Sequence, residues 1–154
     1  MAPSPSLPVE YRVSESTPRD LPRLFEVWES SVRATHGFLT EPDIQSLSPL
    51  VKSGLAHFAP IHCLRDASGL PFAFLGVEGT KIEMLFVHAD FRGQGAGRFL
   101  VRYALGALRA ELVDVNEQNP LAVGFYQHLG FNIIGRSELD SSGNPFPILH
   151  LKRA

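Results

Sequence analysis

The glycine-rich segment RGQGAG, at 92–97, is suited by residue type and spacing to bind an anion. It stands between a β-like run, IEMLFV, and a helical run, GRFLVRYALGALRA. A helix that begins in such a turn presents backbone N–H groups without intrahelical partners, and its dipole adds partial positive charge there. Glycine lets an anion approach these donors closely, and Arg92 and Arg98 add charge. The segment therefore predicts a site for phosphate oxygens.

The glycine spacing disfavours two common phosphate ligands. The dinucleotide fingerprint is G-x-G-x-x-G after an early strand, with an acidic residue about 20 positions on. Here Gly93, Gly95 and Gly97 alternate, the loop follows the fourth predicted strand, and Asn116 stands near the acidic position. An NAD-binding oxidoreductase is thus disfavoured. The G-x-x-x-x-G-K-S/T loop is absent, which weakens an ATPase or kinase interpretation. A tight turn without any ligand stays open at this point.

Length and composition indicate one ordinary domain. The chain has 154 residues and a formal net charge of −2, which argues against a general nucleic-acid binder. The single Cys63 forms no internal disulfide, so we expect a reducing compartment, and the residue itself is expected to be buried. No apolar run approaches about 18 residues, so we expect no membrane span and a cytoplasmic location. The start, MAPSPSLP, predicts a disordered arm at 1–8 before a single domain at 9–154.

Hydrophobic periodicity predicts the element order β α α β β β α β α β β. The strands are expected at 9–16, 61–66, 70–79, 81–88, 112–116, 131–139 and 147–153, and the helices from Thr17, from Thr40, over 95–110 and over 119–130. Strands 4 and 5 should be parallel, joined by a right-handed crossover. The rest of the sheet should be largely antiparallel, with helices on both faces in a mixed α+β fold.

Two segments together resemble the GNAT N-acetyltransferases. RGQGAG matches that family's Q/R-x-x-G-x-G/A pyrophosphate loop, and NPLAVGFYQHLGF matches its second signature, N-x-x-A-x-x-F-Y-x-x-x-G-F. The wider sequence, including SVRATHGFL and GRSELDSSGNPFPILHL, is similar to the YjaB-like bacterial subgroup from about position 9 onward. The resemblance implies about seven strands splayed between strands 4 and 5, with four helices. It also implies direct acetyl transfer from acetyl-CoA to a primary amine of a small molecule or peptide, by a monomer or homodimer.

The resemblance also implies which residues bind acetyl-CoA. Backbone groups of the glycine loop would hold the pyrophosphate, namely Arg92, Gly93, Gln94, Gly95, Ala96, Gly97 and Arg98. The main chain of Leu85, Phe86 and Val87 would pair with the pantetheine arm as an added strand. Asn119 matches a residue that hydrogen-bonds the pantetheine, although Asn is equally suited to cap the following helix. No metal is expected, because the histidines show no paired ligand spacing.

The resemblance further implies which side chains do the chemistry. Tyr126 corresponds to the family tyrosine that protonates the leaving thiolate, although a tyrosine there would also pack simply against its neighbours. Alternation in LVDVN places Asp114 and Asn116 on one face of the strand. The resemblance implies that Asp114 is a candidate base, that Glu83 is its rival or binds the amine, and that Asn116 binds the acceptor.

His36, between the first two helices, would line the acceptor pocket. Phe38 and Phe146 are possible walls of that pocket. Each acid could instead be solvated or salt-bridged, and His36 could be structural. A non-catalytic acetyl-CoA-binding or CoA-binding module is the alternative function.

Overall fold

A computed structural model describes residues 11–154. The strands are β1 (Ser14–Glu15), β2 (His62–Arg65), β3 (Pro71–Glu78), β4 (Lys81–Val87), β5 (Leu112–Asn116), β6 (Phe131–Ser137) and β7 (Ile148–Arg153). The helices are α1 (Leu21–Thr35), α2 (Glu41–His57), α3 (Ala96–Gly106) and α4 (Pro120–His128). The strands form one sheet in the order β1-β2-β3-β4-β5-β7-β6, in which β4 and β5 are parallel and the other pairs are antiparallel. The predicted fold class and element order are therefore confirmed, while the predicted arm at 1–8 lies outside the described residues.

The first strand and the third helix are shorter than predicted. The first strand is expected over 9–16, but among the described residues pairing is limited to Ser14 and Glu15, and the ring of Tyr11 packs on Phe72. The third helix is expected to continue to 110 but ends at Gly106. There the chain turns through Arg109, whose φ is +56°.

Helices cover both faces of the sheet and enclose two cores. Leu100 and Val101 of α3 lie in one core with Val113 and Val115 of β5. The opposite core joins α1 and α2 to the sheet and contains Leu24, Trp28, Leu55, Cys63 and Phe74. Burial raises the pKa of the Cys63 thiol to about 12, as befits a small buried apolar residue. No helix within residues 11–154 combines the length and the apolar composition needed to cross a bilayer.

An ion pair fixes the start of α1 against β2. Arg65 donates to both carboxylate oxygens of Asp20, at 2.9 and 2.7 Å. These hydrogen bonds hold the pKa of Asp20 well below its ordinary value. Bidentate pairs of this kind define orientation as well as energy. The direction of α1 is thereby set, and its far end carries Ser31 and His36 to the edge of β4.

The sheet opens between β4 and β5. The two strands pair over two residues each, ending at Ile82 opposite Val113. On its other side β4 stays paired with β3 as far as Val87, but the register slips at Glu83, which has no partner on β3. Such a bulge bends its strand and increases the local twist. We infer that the bulge at Glu83 turns β4 away from β5 and leaves one edge of β4 free beyond it.

Candidate active site

A cleft of about 590 Å³ lies along β4 beyond its last pair with β5. Its floor is the free part of β4, and its walls come from α1, the glycine loop and α4. The residues that line it include Leu85, Phe86, Val87, Arg92, Gly93, Gly95, Ala96, Gly97, Arg98, Asn119 and Tyr126. Two motifs that are distant in sequence therefore face each other across one cleft.

The glycine loop (92–98) needs glycine for two different reasons. Gly93 and Gly95 have φ of +76° and +82°, a region that other residues adopt only with strain. Gly97 lies within α3, where an added Cβ would stand 3.4 Å from the ring of Phe125, so glycine allows α3 and α4 to approach closely. Gly95 is the N-cap of α3, so the first-turn amides of this helix have no acceptor within the helix. The loop has the geometry of an anion site at a helix N-terminus.

Gln94 is the one loop residue of the predicted set that does not line this cleft. It lines a second cleft of about 580 Å³ behind the loop, together with Tyr11. The Gln94 carbonyl accepts a hydrogen bond of 2.6 Å from the Tyr11 hydroxyl. The loop therefore separates two clefts, and its backbone presents different groups to each.

Tyr126 lies on α4 with its ring in the core and its hydroxyl at the cleft. The ring packs edge-on against Phe125 and Phe131, at centroid distances of 5.0 and 5.4 Å. Burial raises the pKa of Tyr126 above its ordinary value, so the phenol stays protonated at neutral pH. No hydrogen bond links its oxygen to another residue within 11–154, and the residue lines the cleft. Tyr126 thus places a protonated phenol at the wall of the cleft.

Asn119 is buried at the start of α4 and serves as its N-cap. Its Oδ1 accepts a hydrogen bond from the N–H of Ala122 at 3.2 Å. The residue also lines the cleft. Capping uses the carbonyl oxygen, so the amide nitrogen is still available as a donor to a ligand. The two roles considered for Asn119 are therefore compatible.

A smaller cavity of about 140 Å³ adjoins the cleft on the far side of Tyr126. His36, Asn119 and Tyr126 line both spaces. The smaller cavity adds the predicted acceptor-side residues Glu83, Asp114 and Asn116. Apart from Gln94, the residues predicted to bind acetyl-CoA, to bind the acceptor or to act in catalysis line one or both of these adjoining cavities. Phe38 and Phe146, the possible walls of the acceptor pocket, line neither cavity.

Asp114 already has a partner on each of its two carboxylate oxygens. Lys81 Nζ lies 2.6 Å from one carboxylate oxygen, and His150 Nδ1 lies 2.7 Å from the other. Burial acts to raise the pKa of Asp114, but the hydrogen bonds from Lys81 and His150 outweigh it and the pKa is lowered. A carboxylate stabilised in its ionised form is a weaker base.

Glu83, in contrast, has no ion-pair partner within residues 11–154. It is exposed at the bulge of β4 and lines the smaller cavity. Its position at the mouth of that cavity suits a group that binds a cation from solvent. Of the two predicted carboxylates, Glu83 is the one free to receive a new partner.

His36 forms the C-terminal end of α1 beside both cavities. Its Nδ1 lies 2.8 Å from the Thr35 hydroxyl, and burial lowers its pKa, so the imidazole is neutral at pH 7. Phe38 packs on His36, and Phe146 packs on Phe38. The contact between Phe146 and Phe38 joins the β6–β7 connection to the α1–α2 connection, next to the smaller cavity.

Sequence analysis missed several residues of the site. Ser31 and Thr35 line the cleft from α1. Both continue the helical spacing of the apolar residues Leu24 and Trp28. Two polar residues at the end of such an apolar stripe could have indicated that this end of the helix lines a site. His150, which also lies 2.7 Å from Ser137, was missed because it meets Asp114 only through pairing of β5 with β7.

The chain resembles known acetyltransferases in sequence. A family model described as the acetyltransferase (GNAT) domain matches residues 61–133. The peptidyl-lysine N-acetyltransferase YjaB of Salmonella typhimurium is 40% identical over 129 residues, covering 84% of this chain and 88% of that protein. The peptidyl-lysine N-acetyltransferase YiaC of Escherichia coli is 25% identical over 134 residues, covering 86% of this chain and 91% of that protein.

Solved structures show the same fold. The apo form of YjaB from Escherichia coli superimposes with a TM-score of 0.85 at 37% identity, covering 95% of this chain and 99% of that one. The PaiA N-acetyltransferase of Thermoplasma acidophilum, solved with coenzyme A, gives a TM-score of 0.73 at 18% identity, covering 95% and 100%. At 18% identity, the match to PaiA shows only that the two chains share a fold. The predicted family is confirmed: this chain belongs to the GNAT N-acetyltransferases.

Proposed function

We propose that this acetyltransferase moves the acetyl group of acetyl-CoA to the side-chain amine of a lysine in a peptide or protein. The observation that carries the proposal is that the cleft at the glycine loop adjoins the cavity at Glu83, with Tyr126 in the lining of both. The relatives named peptidyl-lysine N-acetyltransferases support the choice of acceptor. A lysine ammonium is a thin, positively charged acceptor that suits a narrow cavity with a free carboxylate at its mouth.

The residues present fit acetyl-CoA. Amides of the glycine loop would bind the pyrophosphate, and added Cβ atoms at Gly93 and Gly95 would strain the backbone there. The free edge of β4 at Leu85, Phe86 and Val87 would pair with the pantetheine amides. Arg92 and Arg98 add positive charge beside the phosphates. Bound acetyl-CoA supplies a thioester, whose carbonyl carbon is attacked by an amine.

The side chains of the site divide the remaining work. Glu83 binds the lysine ammonium and accepts its proton, directly or through water, so that a neutral amine attacks. Tyr126 donates its phenolic proton to the sulfur as the carbon–sulfur bond breaks, and the nitrogen that has attacked gives its second proton to the phenolate to leave the amide. Asn116 and His36 contact the acceptor as neutral polar groups. Asp114 holds Lys81 and His150 at this end of the cavity and is the second candidate base.

Ligand binding tests the proposed cosubstrate. We expect acetyl-CoA and CoA, each at about 100 times Kd, to add about 2.7 kcal/mol to the unfolding free energy and to raise Tm by a few degrees. NADH should leave Tm unchanged because the glycine spacing does not match its fingerprint. Thermal unfolding with each ligand measures this. The absence of a shift with both CoA species would overturn the proposal, whereas binding without turnover on any amine would favour the non-catalytic module.

Replacing Tyr126 with Phe should lower kcat about 100-fold, because the variant keeps the ring and loses the acid. The KM for acetyl-CoA should change little. Because burial raises the phenol pKa, the wild type should lose no activity through Tyr126 deprotonation up to about pH 9. Initial rates of thiol release across pH measure both effects. Tyr103→Phe, on α3 and outside both cavities, is the matched control. Equal kcat in the Tyr126→Phe variant and the wild type would remove Tyr126 from the chemistry.

Replacing Glu83 with Gln should raise KM for a lysine peptide about 10-fold, the effect of one hydrogen bond to a charged group. It should also lower kcat, because an amide cannot accept the ammonium proton. The Kd for CoA should not change, because Glu83 does not line the larger cleft. Steady-state kinetics and calorimetry separate the two constants. Glu78→Gln removes an exposed charge from neighbouring β3 and is the control. If Glu83→Gln is silent while Asp114→Asn loses activity, the acceptor carboxylate is Asp114 instead.

A further inference from the structure

Tyr11 contacts the back of the glycine loop from the segment that precedes β1. Its hydroxyl donates to the carbonyl oxygen of Gln94 at 2.6 Å, across 83 positions of sequence. This distance lies at the short end of the range for O–H···O hydrogen bonds. Burial raises the pKa of Tyr11, so that the phenol keeps its proton at neutral pH and acts as the donor.

The ring of Tyr11 is fixed by aromatic packing. It lies edge-on to Phe99 of α3 at 5.4 Å and tilted against Phe72 of β3 at 6.1 Å. Phe72 itself lines the rear cleft, and Phe99 follows the loop directly along α3. The position of the Tyr11 hydroxyl is therefore fixed by the packing of its own ring against β3 and α3.

The peptide between Gln94 and Gly95 separates the two clefts. Gln94 lines the rear cleft with Tyr11, whereas Gly95 lines the front cleft with Tyr126. In a trans peptide the C=O and the following N–H point in opposite directions. A carbonyl held towards Tyr11 therefore directs the Gly95 N–H towards the front cleft.

Within residues 11–154, the Tyr11 hydroxyl is the one group that hydrogen-bonds to the Gln94 carbonyl. Gly93 and Gly95 flank the residue and can adopt many backbone conformations that other residues cannot. A glycine-flanked peptide loses conformational entropy when it is ordered by a ligand, and a preformed tie removes part of that cost. The hydrogen bond from the Tyr11 hydroxyl to the Gln94 carbonyl is thus well placed to order the loop before a ligand binds.

We propose that Tyr11 is a positioning residue of the cosubstrate site, whose hydroxyl holds the Gln94 carbonyl rearward and aims the Gly95 N–H at the pyrophosphate. The inference rests on the proposed function, because it takes CoA as the ligand of the loop. It extends the site to a residue outside both family motifs and on the opposite side of the loop. Tyr11 touches no ligand and acts only through the loop.

The test replaces Tyr11 with Phe, which keeps the ring packing and removes the hydroxyl. We expect the Kd for CoA, measured by calorimetry, to rise about 3- to 10-fold, the effect of one lost hydrogen bond. Tyr103→Phe is the control, since Tyr103 packs on His62 and lines neither cleft. Its Kd should equal that of the wild type. The Tm of unliganded Tyr11→Phe should lie close to the wild-type value.

A second readout separates positioning from a general structural role. S-acetyl-N-acetylcysteamine is a thioester donor without a pyrophosphate, so its kcat/KM with a lysine peptide should be the same for Tyr11→Phe and the wild type. With acetyl-CoA, kcat/KM should fall through KM while kcat stays constant. Equal losses with both donors, or an unchanged Kd for CoA, would overturn the role of Tyr11. Failure of the wild type to bind CoA would overturn the proposed cosubstrate as well, so the two failures are distinguishable.

Discussion

The parting of β4 from β5 is the constraint on which the rest of this molecule depends. Two pairs of residues hold the strands together, and the unpaired Glu83 then bends β4 away. Within an otherwise continuous sheet, this leaves backbone donors and acceptors of β4 without a strand partner. The parting also makes room for the glycine loop at one end of the gap and for the acidic cavity at the other. A single bulge thus creates the cleft and places a carboxylate beside it.

Several titratable side chains that line the site are either neutral or already paired with another residue. Asp114 is paired on both oxygens, Tyr126 is buried with its proton retained, and His36 is neutral. The free charges that line the two spaces are then the cations beside the glycine loop and the carboxylate of Glu83. This polarity, positive at one end and negative at the other, matches an anionic donor and a cationic acceptor.

Local signals in the sequence predicted the parts of the fold that local physics determines. Alternation defined β5 as Leu112–Asn116, and Asn119 with Pro120 marked the start of α4, both as found. Thr40 and Asp43 likewise marked the start of α2, where each hydrogen-bonds the backbone of the other. The two motifs predicted the family and the residues that would face the cleft.

Features that depend on distant contacts could not be predicted. The pairing of Asp114 with Lys81 and His150 joins three strands that are neighbours only in the folded sheet. The ring of Tyr11, within the predicted first strand, packs against residues of β3 and α3 that are distant in sequence. The connection that follows the third helix contains Arg109 in a conformation that is uncommon for arginine and not evident from its neighbours.

Acetyl transfer itself is the most direct measurement of the central claim. The enzyme is incubated with acetyl-CoA and a peptide that carries one internal lysine and a blocked N-terminus, and the product is read by mass spectrometry. We expect one acetyl group on the lysine, no product from the same peptide with arginine at that position, and release of one thiol per acetyl group. Tight binding of acetyl-CoA with no acetylated product across a broad panel of lysine peptides would contradict the claim.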